Sequence, residues 1–184
     1  MAPILGIYAS SNYQRITPDN GAMFPIAMAT VNNTSTSTIT FSSIPQTYKH
    51  LELRMSYNNL TGLDNMKMIL NGSTGPAWWH LLYGDGSSAA GSNSNVSSSQ
   101  IFGIQFGRSD THQYAGVVSI PDYTSTTKNK TVKYYGGVDN SSSGGVWVTS
   151  NIFTTTSAIT SITLSPTAYN FTPGTIMSLY GIKG

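Results

Sequence analysis

FSSIPQTYKHLELRMSY, residues 41 to 57, ends in an unbroken period-two run. Leu51, Leu53, Met55 and Tyr57 fall on one side, and His50, Glu52, Arg54 and Ser56 on the other. That alternation predicts a strand with one face in a core and one in water. Pro45 fixes its own φ and lacks an amide donor, so it belongs in the turn that leads in. The same grammar recurs along the chain. Further strands are predicted near 26–32, 36–42, 65–71, 76–83, 100–106, 113–120, 130–137, 145–153, 158–165 and 174–183. Turn signals separate them, among them Asn71-Gly72, Asp85-Gly86, Gly136-Gly137, Gly144-Gly145 and Pro173-Gly174. The fold class is therefore all-β, an antiparallel β-sandwich or jelly roll of about ten short strands.

Composition agrees. The chain has 184 residues, 39% hydrophobic and 11% aromatic, enough for one two-sheet core. Glu occurs once, so exposed helices have little to be built from. Charged residues make up 9%, against roughly 25% in ordinary soluble domains. A surface so poor in charge is weakly protected against association and suits a subunit packed in an assembly. There is no cysteine, which excludes disulfides and thiolate metal sites. No apolar run approaches the ~20 residues of a membrane span. The start, MAPILGIYASSNYQR, lacks the basic region of a secretory signal, so synthesis in a cytoplasm and use without export are expected.

Residues 1–25 read as an extended N-terminal arm and 26–184 as a single β-sandwich domain. The arm has an apolar tip, Ile4, Leu5, Ile7 and Tyr8, that either docks on a neighbouring subunit or pairs as a first strand. Ser87 to Ser99, SSAAGSNSNVSSS, reads as an exposed loop tip dispensable for folding. Lys128, Lys130 and Lys133 form the only basic cluster and read as the solvated face of one strand, not a nucleic-acid stripe.

The chemistry is sparse. His50 and Glu52 share a strand face, but so do charged residues on any solvent-facing strand. His80 precedes Asp85 by five residues and His112 lies near Asp110, yet no G-x-S-x-G elbow accompanies them. Glu52 or Asp85 with Asp122 could be nominated as a glycosidase pair only as any two carboxylates could. Phosphate-binding glycine motifs do not occur. No catalytic, cofactor or metal residue is assigned. Trp78 and Trp79, with Tyr83, are candidates for an interface or glycan contact; neighbours on a strand face opposite sides, so one tryptophan belongs in the core.

Several segments together resemble a family of small bacteriophage virion structural proteins, common in phages of aquatic bacteria and cyanobacteria. They are FSSIP at Phe41 to Pro45 with TYKHL from Thr47, LNGSTG from Leu70, and Trp79-His80 with LYGDGSS from Leu82. Tyr123 within IPDYTSTTKNKT follows, then KTVK from Lys130, GVDN from Gly137, AITSITL from Ala158 and the terminal LYGIKG. Their order carries the weight, since each alone is a turn with a strand. The resemblance implies a non-enzymatic virion component: a capsid decoration (cement) protein stabilising the head as a homotrimer, in contact with the major capsid protein. A tail-fibre or receptor-binding module touching host surface glycan is the alternative. No cofactor, nucleic acid or membrane partner is implied.

Overall fold

The computed structural model describes residues 23–57, 64–73, 77–96, 100–106, 113–139 and 144–184. The apolar tip of the arm, Ile4, Leu5, Ile7 and Tyr8, lies outside the described residues, as does His112. Among the described residues twelve strands form. They are β1 (Met23–Thr30), β2 (Ile39–Phe41), β3 (His50–Tyr57), β4 (Asp64–Leu70), β5 (Ala77–Gly84) and β6 (Ala89–Val96). The rest are β7 (Gln100–Phe106), β8 (Tyr114–Ile120), β9 (Lys130–Asp139), β10 (Gly144–Phe153), β11 (Ile162–Pro166) and β12 (Ile176–Ile182). They build a β-sandwich of two antiparallel sheets. One has the order β1-β12-β3-β8-β9-β10-β5-β6, the other β2-β11-β4-β7. Among the described residues no helix is long and apolar enough to cross a membrane.

The alternation of β3 holds: Leu51, Leu53, Met55 and Tyr57 are buried between the sheets. Met66, Met68 and Leu70 of β4 and Ile162 and Leu164 of β11 close the core from the facing sheet. Each such side chain contributes roughly 1.5–3 kcal/mol on full burial. Tyr57 stacks on Tyr114 at 5.3 Å between ring centroids, and its hydroxyl lies 3.4 Å from that of Tyr134. Burial raises both phenols, Tyr57 well above its ordinary value and Tyr134 to about 12. Glycine is obligatory beside Tyr134. A Cβ at Gly116 or Gly136 would come within 2.4 or 2.0 Å of its ring or hydroxyl.

Lys130 departs from its expected place. It is buried, and its Nζ donates to the carbonyls of Ser125 (2.6 Å), Lys128 (2.8 Å) and Thr156 (3.2 Å). Desolvation lowers its pKa, with Asp122 acting the other way. Lys133 sits three positions on, with opposite parity, and is exposed; the lysines share no face.

Within 87–99, read as an exposed loop tip, the described residues depart from that reading. Residues 89–96 form β6, paired with β5 at all eight positions. Asp85 makes the turn between them: its Oδ1 accepts from the amides of Ser87 (2.9 Å) and Ser88 (2.7 Å), and Gly86 has φ 88°. A backbone ladder and an Asx turn order a stretch whose side chains give no strand signal.

The run from Ala158 becomes regular only at Ile162, and Asn71 holds the rest. With φ 54°, Asn71 donates Nδ2 to Ala158 O at 2.7 Å, and its Oδ1 accepts from Thr160 N (2.7 Å) and Ser161 N (3.1 Å). Asn tolerates that backbone better than other L-residues with side chains. Asn71→Ala removes these bonds and strains the turn, and should lower unfolding free energy by about 2–4 kcal/mol. Denaturant titration measures it; a change within about 0.5 kcal/mol would show that the 158–161 segment holds itself.

Candidate functional site

Locking one parity of each strand inward fixes the other parity outward. On β10, Trp147, Thr149, Asn151 and Phe153 are buried, leaving Val146, Val148, Ser150 and Ile152 on the open face. The ladder then aligns outward residues into rows across strands. Val117 of β8, Tyr135 of β9, Val148 of β10, Leu82 of β5 and Gly91 of β6 are successive partners. About 7 Å along the strands runs a polar row: Ser119, Lys133, Ser150 and His80. Beyond it Ile152 faces Trp78. On the other side Gly137, Val146 and Gly84 are aligned.

This face is unusually apolar for an open surface. Leu82 is 66% exposed, Tyr135 62%, Val146 54%, Trp78 50% and Val148 47%. Together these side chains present on the order of 500 Å² of apolar area, toward the upper end of what monomers leave uncovered. Tyr135 stands as a ridge between two shallow grooves of about 840 and 850 Å³. The first has a floor of glycines, including Gly84, Gly137 and Gly145. A Cβ at Gly137 would lie 2.6 Å from Gly145 O, so no side chain fits there and the floor stays low. The second is walled by Leu82, Val148 and Tyr135, with His80, Lys133 and Ser150 along one flank. A charged pair bounds the face toward β3: Arg54 Nε donates to Glu52 Oε1 at 2.9 Å and lies over the Tyr180 ring.

The three aromatic candidates do not form one platform. Trp78 is on the open face, whereas Trp79 is buried on the inner side with Tyr83, which is 37% exposed near the sheet margin. Trp79 therefore cannot serve as an outward contact. Side-chain parity along β5 separates the pair.

The titratable residues are dispersed. His50 is tied to the β8–β9 turn, its Nδ1 accepting from the amide of Asp122 at 3.1 Å. Asp122 pairs with Lys49 (2.9 Å) and Lys128 (3.2 Å). Asp85 lies at the rim of the glycine-floored groove, occupied by its own turn. Among the described residues no group of three or more His, Cys, Asp or Glu side chains could hold a metal ion. Comparison with protein-family models, curated proteins and solved structures finds no match.

Leu82, Tyr135, Val146 and Val148 were missed as site residues by sequence reasoning. A signal existed: AWWHLLYG and GGVWVTSNIF carry apolar residues on both parities. Such runs belong to strands covered on both faces, and here one face has no cover among the described residues.

Two carboxyls make stability pH-dependent. Hydrogen bonds from Lys49 and Lys128 hold Asp122 at about 2, and the Ser88 and Ser87 amides hold Asp85 at about 2, against an ordinary 3.8. Both sit lower in the folded state, so their contribution is present above about pH 4 and is lost as pH falls toward 2. The thermal midpoint should fall across that window, and Asp122→Asn should remove part of the fall. A midpoint that is level down to pH 2 in calorimetry would contradict this.

Proposed function

We propose that the protein is a non-enzymatic structural subunit of a bacteriophage virion, a capsid decoration (cement) protein that stabilises the head as a homotrimer. The observation that carries it is the open apolar row of Val117, Tyr135, Val148 and Leu82 on a chain with 9% charged residues. A specific interface takes about 800 Å² per partner, and the exposed apolar side chains of this face supply on the order of 500 Å² toward it. Such a subunit adds buried area between capsomers and so resists internal DNA pressure. Its partners are copies of itself and the major capsid protein.

Strand order also supports a jelly roll. Strands β2, β11, β4 and β7 form one sheet while β3, β8, β5 and β6 lie in the other. A double-sheet jelly roll would interleave its strands in this way, with the β9–β10 hairpin set between β8 and β5 and the β12–β1 pair added beside β3. Viral capsid domains use that architecture among other proteins, so it adds support without fixing the role.

A tail-fibre module is the second reading, favoured by one observation. The half-exposed Trp78 and the row of His80, Ser150 and Lys133 put a stacking ring beside hydrogen-bonding groups, the combination a host glycan needs.

The test is Leu82→Asp with Val148→Asp, two exposed positions where the fold should tolerate charge. The pair should leave circular dichroism unchanged, shift the trimer toward monomer in analytical ultracentrifugation and abolish incorporation into particles. Quantifying wild-type subunits per particle separates the locations: hundreds imply head decoration and a few tens a fibre. Normal assembly and incorporation of the double variant would overturn the assembly role of this face.

A further inference from the structure

The two edges of the eight-stranded sheet are built differently. Edge strand β1 carries Pro25, and its pairing with β12 shifts register between Pro25 and Ala27. Proline and a bulge are the usual devices that stop an edge from accepting another strand. Edge strand β6, AAGSNSNV, has neither. It pairs with β5 over eight residues without a shift, contains no charge and no proline, and among the described residues no strand pairs with its far side. A long, regular, uncharged edge is a template for strand addition.

The side chains beside this edge indicate what kind of strand it takes. Leu82 is opposite Gly91 and is 66% exposed, and its Cδ2 would lie 3.4 Å from a Cβ at Gly91. The glycine thus leaves Leu82 open toward the edge, where an apolar residue on an added strand could cover it. A second β6 would bring only Ala, Gly, Ser and Asn, with a single Val. Residues 3–9, PILGIYA, are uncharged and bulky, and they precede β1 at the opposite edge.

We propose that β6 is a strand acceptor, and that residues 3–9 of a second copy of this chain pair along it. The proposal rests on the assembly reading above and names the contact that closes it. A donor at one edge and an acceptor at the other give a head-to-tail interface, which forms a ring when the rotation closes. A chain reaching its own β6 would have to cross about 34 Å of sheet. Residues 10–22, SSNYQRITPDNGA, would then carry Arg15 and Asp19 over the apolar rows, which argues for a neighbour.

The chain has no cysteine, so introduced thiols report alone. A tagged chain bearing Ile4→Cys, Leu5→Cys, Ile7→Cys or Tyr8→Cys is co-expressed with an untagged chain bearing Ala90→Cys or Ser92→Cys, both exposed positions. Mild oxidation should give tagged–untagged dimers on non-reducing gels. Thr126→Cys, exposed on the β8–β9 loop, should give none. Deleting residues 2–9 should raise the concentration needed for assembly at least about tenfold, with circular dichroism unchanged. If no such dimers form and the deletion leaves an intact oligomer, strand addition is wrong and the assembly reading stands. When both thiols are placed in one chain, closure within single chains only would also overturn the exchange. A wild-type chain that is monomeric at every concentration and in particles overturns both.

Discussion

Leu51, Leu53, Met55 and Tyr57 are driven inward by burial, and a strand's period of two then leaves no choice about their neighbours. That constraint propagates through the ladder. Val118 and Ile120 follow on β8, Val132 and Tyr134 on β9, and Trp147 and Phe153 on β10, all turned to the same core. The outward rows are the complement of this choice. A slip of one residue at β3 would bury Glu52 and Arg54 and expose the core set, at a cost of many kcal/mol by any estimate of charge or apolar transfer. Register is therefore secure, and so is the composition of the open face.

Packing within the core sets the shape of that face. Tyr134 occupies the space where side chains at Gly116 and Gly136 would stand, which brings β8 and β9 together beneath the ring. The next residue, Tyr135, must point outward, and Gly137 beyond it can carry no side chain against Gly145. A ridge flanked by low floor results. The same tyrosine–glycine arrangement serves the interior and cuts the exterior groove. Buried Lys130 works on a different part of the fold. Its ammonium ties the 125–128 carbonyls to Thr156, fixing loops that no strand pairing holds.

Much of this was legible in the residues. The all-β class, β3 with its faces, the Asn71-Gly72 and Asp85-Gly86 turns, and the split of Trp78 from Trp79 all follow from local periodicity and turn chemistry. Three features were not. β6 has almost no side-chain preference for a strand and exists because β5 offers it a ladder. Lys130 reads as a surface charge until three carbonyls converge on it. Asn71 reads as an ordinary turn residue, although its side chain binds a segment nearly ninety positions away.

By itself the sequence determined which residues share a strand face, because alternation is a local property of an extended backbone. It also determined that the surface would be poor in charge and the chain without disulfides. Only the tertiary structure decided which strands lie side by side, since pairing joins segments far apart, as β1 with β12 and β3 with β8. That adjacency turns Val117, Tyr135, Val148 and Leu82 from four scattered residues into one row. It also leaves β6 at an edge with no proline, charge or bulge to close it. Rows and edges are properties of neighbours in space, and long-range pairing alone creates them.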